Sequence, residues 1–194
     1  MGAAATYRDA NHQADHVLAA WEAEPGSRLH FYHEVWAALQ PLDEAHRQSA
    51  LEAILDWAGD RPSPRETHRP LTRAELQQLE KDNVVSIGAH TVNHPLLSKR
   101  TLADQQQEIL ASKAYLESVL NHSVDTFAYP FGAYAPETVD LLDQAGFLCA
   151  CTTAEETLWR GNGCYELPRF DVANWPGPMF EQQMLRWFEK GYAA

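Results

Sequence analysis

The second half of this sequence alternates between short apolar runs and longer segments in which apolar residues recur at helical spacing. The apolar runs predict strands at 84–87, 126–129, 147–152 and 165–169. Helical spacing is present at 101–120, 136–145 and 178–190. Because neighbouring parallel strands need a long crossover, usually a helix, this alternation predicts an α/β fold with a parallel sheet.

The first 70 residues are expected to be helical. Three stretches place apolar residues at helical spacing: 14–21, 31–39 and 41–58. The stretch 59–70 is rich in proline and charged residues and is expected to be a linker. We therefore divide the chain into a helical region, 1–70, and an α/β region, 71–194. A capping box formed by Thr72 and Glu75 is expected to begin the first helix of the second region.

Two histidines follow the strand predicted at 84–87. His90 and His94 are four residues apart, and a helical turn would bring their rings to the same side. Neutral imidazole is the commonest protein ligand for a catalytic divalent metal. Pro95 restricts His94 to extended or turn conformations. The pair indicates a metal site, and the alternative is two surface or capping histidines.

Several segments around this pair resemble the polysaccharide deacetylase family, whose members are metal-dependent carbohydrate deacetylases. The segment 90–95, His-Thr-Val-Asn-His-Pro, matches the second motif of that family, and 126–132, Thr-Phe-Ala-Tyr-Pro-Phe-Gly, is similar to its third motif. A helix ending at 144–147, a strand at 148–153 and the segment 166–172 follow in the family's order. The resemblance implies a partial irregular (β/α) barrel of this type with an N-terminal helical insertion.

The resemblance implies that His90 and His94 are ligands of a divalent metal, with zinc as the expected ion. In the family the metal lowers the pKa of bound water towards roughly 7 and polarises the acyl carbonyl. Two histidines and one aspartate hold it, which leaves open positions for water and substrate. The implied reaction is removal of acetyl groups from an N- or O-acetylated polysaccharide or amino sugar.

The third motif implies roles for the turn that follows the strand predicted at 126–129. The backbone N–H of Phe131 would donate to the developing oxyanion, and Tyr129 and Pro130 are expected to contact the substrate. Many family members carry an arginine where this chain has Ala128. Arg169 could reach the site from a later strand end and orient the base, and the alternative for it is a surface ion pair.

One motif of the family is missing. Its first motif, Thr-Phe-Asp-Asp-Gly, supplies the general base and the third metal ligand, but this sequence contains no Asp-Asp pair. We therefore expect that the chain lacks the N-terminal part of its domain, through truncation, a misplaced start or divergence. The general acid is unassigned, since the late leucine-x-x-histidine motif is not seen and His122 is expected to be solvated.

Three functional hypotheses remain open after this omission. The first is a deacetylase of which this chain carries only a part. The second is a non-catalytic pseudoenzyme or carbohydrate-binding remnant. The third is a subunit whose missing aspartates come from another chain. Three aromatic side chains predicted in loops could stack on sugar rings or serve the core: Tyr134, Trp159 and Trp175.

Composition limits the partners and the compartment. The net charge of −12 and the lack of a basic cluster argue against nucleic acid and anionic lipid as partners. No apolar run approaches the roughly 18 to 20 residues of a membrane span, and the N-terminus has no secretory signal pattern. Cys149 and Cys151 are expected to be small buried side chains on one face of a strand, with a soft-metal site as the alternative. The odd, sparse set of three cysteines does not suggest a disulfide framework and favours the cytoplasm. An open sheet edge would favour self-association.

Overall fold

The computed structural model describes residues 23–59, 69–82 and 84–191. The chain divides into two compact units, residues 1–62 and 63–194. Within the described ranges, no helix combines the length and the apolar character required to cross a bilayer. The helix predicted at 14–21 lies outside the described residues.

The first unit contains two helices, α1 (Arg28–Leu39) and α2 (Glu44–Ala58). Ser27 caps α1, and the Asp43 side chain accepts a hydrogen bond from the first turn of α2. Both helices were predicted from apolar spacing. The second begins at Glu44 rather than at Pro41, because Asp43 provides the N-cap that Pro41 lacks.

The second unit alternates helices and strands as predicted. Its elements are α3 (Arg73–Glu80), α4 (Leu102–Leu120), β1 (Thr126–Ala128), α5 (Pro136–Gln144), β2 (Cys149–Cys151) and α6 (Gly177–Gly191). The capping box predicted at Thr72 is confirmed, because its side chain and that of Glu75 each bind the other's backbone N–H. Thr101 caps α4 in the same way, accepting a hydrogen bond from Asp104 N.

A short parallel sheet lies at the centre of this unit. The strands β1 and β2 pair with the register Thr126↔Cys149, Phe127↔Ala150 and Ala128↔Cys151. Single parallel bridges extend it on both sides, from Ala89 to Phe127 and from Cys151 to Leu167. The order across the sheet is therefore Ala89, β1, β2 and Leu167, which confirms a parallel α/β arrangement.

The prediction of a strand is wrong for two of the four segments. The segment 84–87 is extended without pairing, and 165–169 contributes only the bridge at Leu167. Both flank the sheet, so in the described part of the chain each has a neighbour on one side only. Val84 is 85% exposed, whereas Ala150 on the central strand β2 is fully buried. Apolar composition alone therefore did not produce a strand at the outer positions.

The core packs the sheet against the two long crossover helices. Its largest fully buried side chains are Tyr129, Phe127, Phe147, Leu97, Ile109 and Leu142. The ring of Phe127 makes edge contacts with Tyr129 and Phe147, at centroid distances of 5.5 and 5.4 Å. Burial of such aromatic rings, each worth several kcal/mol, fixes the middle of β1 and the residue that follows it in the core.

A buried polar pair ties α4 to the start of α5. The Thr138 hydroxyl donates to Gln105 Oε1 over 2.7 Å and accepts a hydrogen bond from Ala135 N. Gln105 Nε2 in turn donates to the carbonyl of Arg100. Because these buried groups are satisfied, their desolvation is compensated, and the pair sets the relative position of the two helices.

Candidate active site

The first predicted metal ligand, His90, is fixed by the sheet. The residue before it, Ala89, accepts a hydrogen bond from Ala128 N and donates to the carbonyl of Thr126, both over 2.9 Å. The His90 ring then places Nδ1 2.6 Å from the carbonyl oxygen of Ala128. A carbonyl only accepts, so Nδ1 carries the proton and the lone pair of the neutral ring lies on Nε2.

The second predicted ligand, His94, is placed by a tight turn rather than by a helix. Thr91 and His94 both have left-handed backbones, with φ of 64° and 53°. The Thr91 hydroxyl accepts a hydrogen bond from His94 N over 3.0 Å and closes this turn. The ring centroids of His90 and His94 are 4.7 Å apart at an interplanar angle of 71°. The two imidazoles therefore meet as the sequence predicted, through a different local conformation.

Glu108 on α4 holds the loop that carries the two histidines, and sequence reasoning missed it. Its carboxylate accepts from Val92 N over 2.8 Å, from Asn93 N over 2.9 Å and from Asn93 Nδ2 over 2.7 Å. Three N–H donors on one carboxylate keep the loop in one conformation. No pattern around Glu108 indicates this contact, because the loop lies on a separate segment of the chain.

The turn after β1 brings Phe131 against His94. Pro130–Gly132 forms a single 3-10 turn, in which Phe131 has the left-handed φ of 59°. Its ring contacts that of His94 edge-on, with centroids 4.5 Å apart. The next residue, Gly132, has a φ of 67° and packs so closely on Thr153 that a side chain there would collide with it. The Thr153 hydroxyl also donates weakly to the Phe131 carbonyl, over 3.4 Å.

Tyr129 and Pro130, which the sequence predicts to contact substrate, have buried side chains. The Tyr129 hydroxyl donates to the carbonyl of Tyr165 over 3.0 Å, and its ring stacks on Tyr134 at 4.6 Å. Burial raises the pKa of Tyr129 well above its ordinary value. These contacts fix the base of the turn, and Tyr134, whose hydroxyl bonds Glu166, serves the same packing.

Arg169 is held beside the segment that follows β2. Its Nε donates to the carbonyl of Thr152 over 2.8 Å, and its backbone N–H donates to Ala154. It lines a cavity of about 490 Å³ together with Thr153, Glu155, Phe170 and Asp171. Thr153 connects this cavity with the turn at Phe131. The structure therefore brings together His90, His94 and Phe131, and it places Arg169 on the adjoining cavity.

The side chain of His122 is 51% exposed, as expected of a solvated residue, and both of its ring nitrogens also have partners. Its Nδ1 lies 2.7 Å from the Ser123 carbonyl and its Nε2 lies 2.7 Å from the Glu80 carboxylate. Both partners are acceptors, so both nitrogens can donate when the ring is protonated. The Ser123 hydrogen bond, followed by that to Glu80, raises the pKa of His122.

The donor set fits two ligands of a metal site. Two imidazoles with neighbouring rings, one with Nε2 directed away from its carbonyl partner, suit a divalent ion that takes nitrogen ligands. Over the ranges that the structure describes, no group of three His, Cys, Asp or Glu side chains could hold a metal. The thiols of Cys149 and Cys151 are half-buried, and that of Cys164 is exposed.

The chain is similar to known proteins in sequence and in fold. The chain belongs to the polysaccharide deacetylase family, whose model matches residues 32–150. The resemblance inferred from the sequence motifs is thereby confirmed. Members of this family are generally metal-dependent.

The chain matches only part of the length of each relative. YxkH of Bacillus subtilis, whose name places it among the polysaccharide deacetylases, is 28% identical over 103 residues, which cover 53% of this chain and 37% of that protein. Streptococcus pyogenes deacetylase PplD, solved in complex with acetate, is 29% identical with a TM-score of 0.55 over 61% of this chain and 52% of that one. IcaB from Ammonifex degensii, at 19% identity and a TM-score of 0.53 over 63% and 55% of the two chains, shares the fold. The chain thus spans about a third to a half of these relatives.

Proposed function

We propose that this chain takes part in the metal-dependent removal of acetyl groups from an N- or O-acetylated polysaccharide or amino sugar. The observation that carries the proposal is the meeting of the His90 and His94 rings at 4.7 Å. The Phe131 ring contacts His94 at 4.5 Å, which brings the turn after β1 to the same place. Family membership supports this reading of the three residues.

His90 and His94 would hold the divalent cation, with zinc as the expected ion. When bound, the cation would act as a Lewis acid on the acetyl carbonyl and lower the pKa of a water molecule. The Ala128 carbonyl fixes the His90 ring, and Glu108 fixes the loop that ends in His94. These contacts restrict the two imidazoles before any ion binds, so less ordering is required on binding.

The backbone N–H of Phe131 would donate to the oxyanion of the tetrahedral intermediate. One preorganised donor of this kind is typically worth about 3 kcal/mol of transition-state stabilisation. The buried side chains of Tyr129 and Pro130 pack this turn against the core. Arg169, on the cavity beyond Thr153, would supply positive charge that orients a carboxylate base.

The site as described lacks a carboxylate ligand and a general base. This sequence contains no Asp-Asp pair, so we propose that aspartates outside this sequence or on another chain provide these groups, as the family's Asp-Asp motif would. The alternative, a non-catalytic carbohydrate-binding remnant, is favoured by one observation: the described residues contain no group of three potential ligands. We expect this polypeptide alone to release little acetate from N-acetylglucosamine oligomers. Release at an ordinary enzymatic rate would refute the proposed incompleteness.

The metal half-site can be tested by zinc titration of the whole chain. We expect weak binding, because two imidazoles without a carboxylate hold a divalent ion poorly. His90→Ala and His94→Ala should each weaken zinc binding about tenfold or more, and His33→Ala on α1 is the matched control. Equal affinities for all four proteins would overturn the assignment of the two ligands. Tight stoichiometric binding would reveal a third ligand.

Three further expectations stand as proposals beside this function. We propose that the sheet is part of an irregular (β/α) barrel, with 1–70 as a helical insertion and 71–194 as the C-terminal part of the domain. Carbohydrate is the proposed partner. Self-association is proposed because an outer segment of the sheet exposes apolar side chains, Val84 at 85% and Val85 at 44%.

A further inference from the structure

An aromatic groove lies between α6 and two segments that precede it in the chain, 156–159 and 168–170. It has a volume of about 490 Å³, within the range of about 300 to 1,000 Å³ that is usual for small-molecule sites. Its walls include Leu158, Trp159, Arg169, Phe170, Trp187 and Phe188. None of these residues belongs to the metal half-site or to the turn at Phe131.

The rings in this groove are held in place by their neighbours. Phe170 and Trp187 stack with centroids 4.3 Å apart and planes inclined by only 10°. Trp159 begins a tight turn, in which its N–H donates to Asn162 Oδ1 over 2.8 Å and its carbonyl accepts from Asn162 N. The indole of Trp159 lies against Gly161, where any side chain would collide with it.

The six-membered ring of Trp159 therefore lies against Gly161, while 67% of the residue remains exposed. An exposed indole that is already ordered loses little conformational freedom when a ligand stacks on it. Such a flat surface suits the C–H face of a pyranose ring. Leu158, at 64% exposure, and Phe188, at 57%, extend the apolar surface on either side.

The groove adjoins the cavity next to the candidate active site. Arg169 and Phe170 line both spaces. The second cavity is also lined by Thr153, whose hydroxyl contacts the carbonyl of Phe131. A ligand longer than one sugar could therefore extend from the turn at Phe131 past Arg169 to the aromatic rings.

Charge restricts what the groove accepts. The carboxylates of Glu155, Glu156 and Asp171 line the two spaces, and Arg169 is the single cation among the lining residues that the structure describes. This balance disfavours phosphate-bearing ligands. At this groove the excess of carboxylates also disfavours a second copy of this acidic chain, so the self-association proposed for the sheet edge would use a different surface. A neutral ligand with apolar faces and many hydroxyl groups remains.

We propose that the groove between Trp159 and Phe188 binds neutral sugar units of an N-acetylated oligosaccharide, at a distance from the bond that is cleaved. This inference rests on the proposed function for its choice of ligand, and it adds a second place, away from the metal half-site, at which the sugar chain is held. Trp159 supplies the stacking surface, and the Arg169 guanidinium and the acidic side chains offer hydrogen bonds to hydroxyl groups.

Isothermal titration calorimetry of the whole chain with N-acetylglucosamine and its tetramer, in the presence of a chelator, tests the groove without the metal half-site. We expect the tetramer to bind about tenfold tighter than the monosaccharide. Trp159→Ala should weaken tetramer binding about tenfold or more, and Trp159→Phe should retain most of it. Phe188→Ala, on the opposite wall, should weaken it too. Trp57→Ala, which removes an indole that is 81% exposed on α2, is the matched control.

Several results would overturn the inference. These are equal affinities for monosaccharide and tetramer, the absence of binding at millimolar tetramer, or an unchanged affinity in Trp159→Ala and Phe188→Ala. Self-association that Trp159→Ala abolishes, without any binding of sugar, would assign the groove to contacts between copies. Sugar binding that needs zinc and His90 but not Trp159 would refute the groove and leave the proposed function standing.

Discussion

Two left-handed residues in succession, Phe131 and Gly132, shape the turn beside His94. Phe131 has a positive φ, which is sterically unfavourable for a residue with a side chain. Such a conformation persists only where the surrounding structure enforces it. The surroundings here are the contact of Gly132 with Thr153 and the edge contact of Phe131 with His94. The strained residue is therefore the one whose N–H is assigned to the oxyanion.

Gly132 can be compared with Gly146, which has a similar φ of 74° but no atom within 4 Å of an added Cβ. Gly146→Ala should lower the free energy of unfolding by about 1 to 2 kcal/mol, the cost of a side chain at left-handed φ. Gly132→Ala should lower it by a further 1 to 3 kcal/mol or so, because Thr153 must move. Urea denaturation of the two variants measures the difference. Equal losses would show that Thr153 yields freely and that the close packing has no energetic weight.

Glu108 acts on the candidate metal ligands only through the loop that it holds. Glu108→Ala removes three accepted hydrogen bonds, and hydrogen bonds to a charged group are each worth about 1.5 to 3 kcal/mol. We expect zinc affinity to fall about tenfold, because the loop must then be ordered on binding. Glu108→Gln keeps one carbonyl acceptor and should restore part of the affinity.

Gln107→Ala, one position earlier on the exposed side of α4, is the matched control for Glu108. It should leave both zinc affinity and the thermal midpoint unchanged. If Glu108→Ala lowered the thermal midpoint but left zinc affinity intact, Glu108 would stabilise the fold without positioning His94.

Among single residues, local chemistry was predictable and distant contacts were not. The capping box of Thr72 and Glu75 is encoded within four residues, and the structure has it. The meeting of His90 with His94 was also predicted, although the left-handed φ of His94 was not. Glu108 was missed because a helical glutamate has no local signal for a loop on another segment.

An ion pair between Glu80 and His122 connects the segment that leads into His90 with the end of α3 and with the turn before β1. Glu80 accepts a hydrogen bond from Ile87 N over 2.7 Å and pairs with His122, which bonds Ser123. The hydrogen bond from Ile87, followed by that from His122, lowers the pKa of Glu80. These contacts join elements that are far apart in sequence.

This ion pair predicts how stability depends on pH. The raised pKa of His122 contributes stability that is complete below its ordinary value of 6.5 and is lost as pH rises through the folded-state pKa. The lowered pKa of Glu80 contributes above 4.5 and is lost as pH falls through the folded-state pKa. Asp125 and Glu117 add negative charge near His122, and Lys113 pairs with Glu117. The pair should therefore stabilise most between pH 4.5 and 6.5.

Urea denaturation at about pH 6 and pH 9 checks this expectation. The midpoint of the wild-type chain should fall at the higher pH, and His122→Gln should reduce that fall. His33→Gln on α1 removes an imidazole from the other unit and should leave the fall unchanged. A His122→Gln chain with the full wild-type pH dependence would contradict the role of the ion pair.

Helices were easier to predict than strands in this chain. The extents of α4 and α5 follow from apolar spacing and caps that lie within each helix, so sequence alone located them. The segment 84–87 has the composition of a strand but pairs with nothing in the described part of the chain, and only Ala89 makes a bridge. A strand depends on partners from other segments, which composition does not reveal.

The chain as a whole offers a test of the proposed division at residue 70. Every contact described for His90, His94 and Phe131 comes from within residues 63–194. We expect a fragment of residues 71–194 to unfold cooperatively and to bind zinc as the whole chain does. Circular dichroism and zinc titration of the fragment measure both. Loss of cooperative unfolding or of zinc binding would show that the first 70 residues belong to the same folding unit.

The parallel order of Ala89, β1, β2 and Leu167 also constrains how the polypeptide is made. A long segment of chain separates each member of the sheet from its neighbour, and this segment must leave the ribosome before the two can pair. No hairpin can therefore form early as a template. The helices can coil as they emerge, whereas the sheet closes only after Leu167 has left the ribosome. During that interval the apolar side chains of β1 and β2 are exposed to chaperones and to other nascent chains.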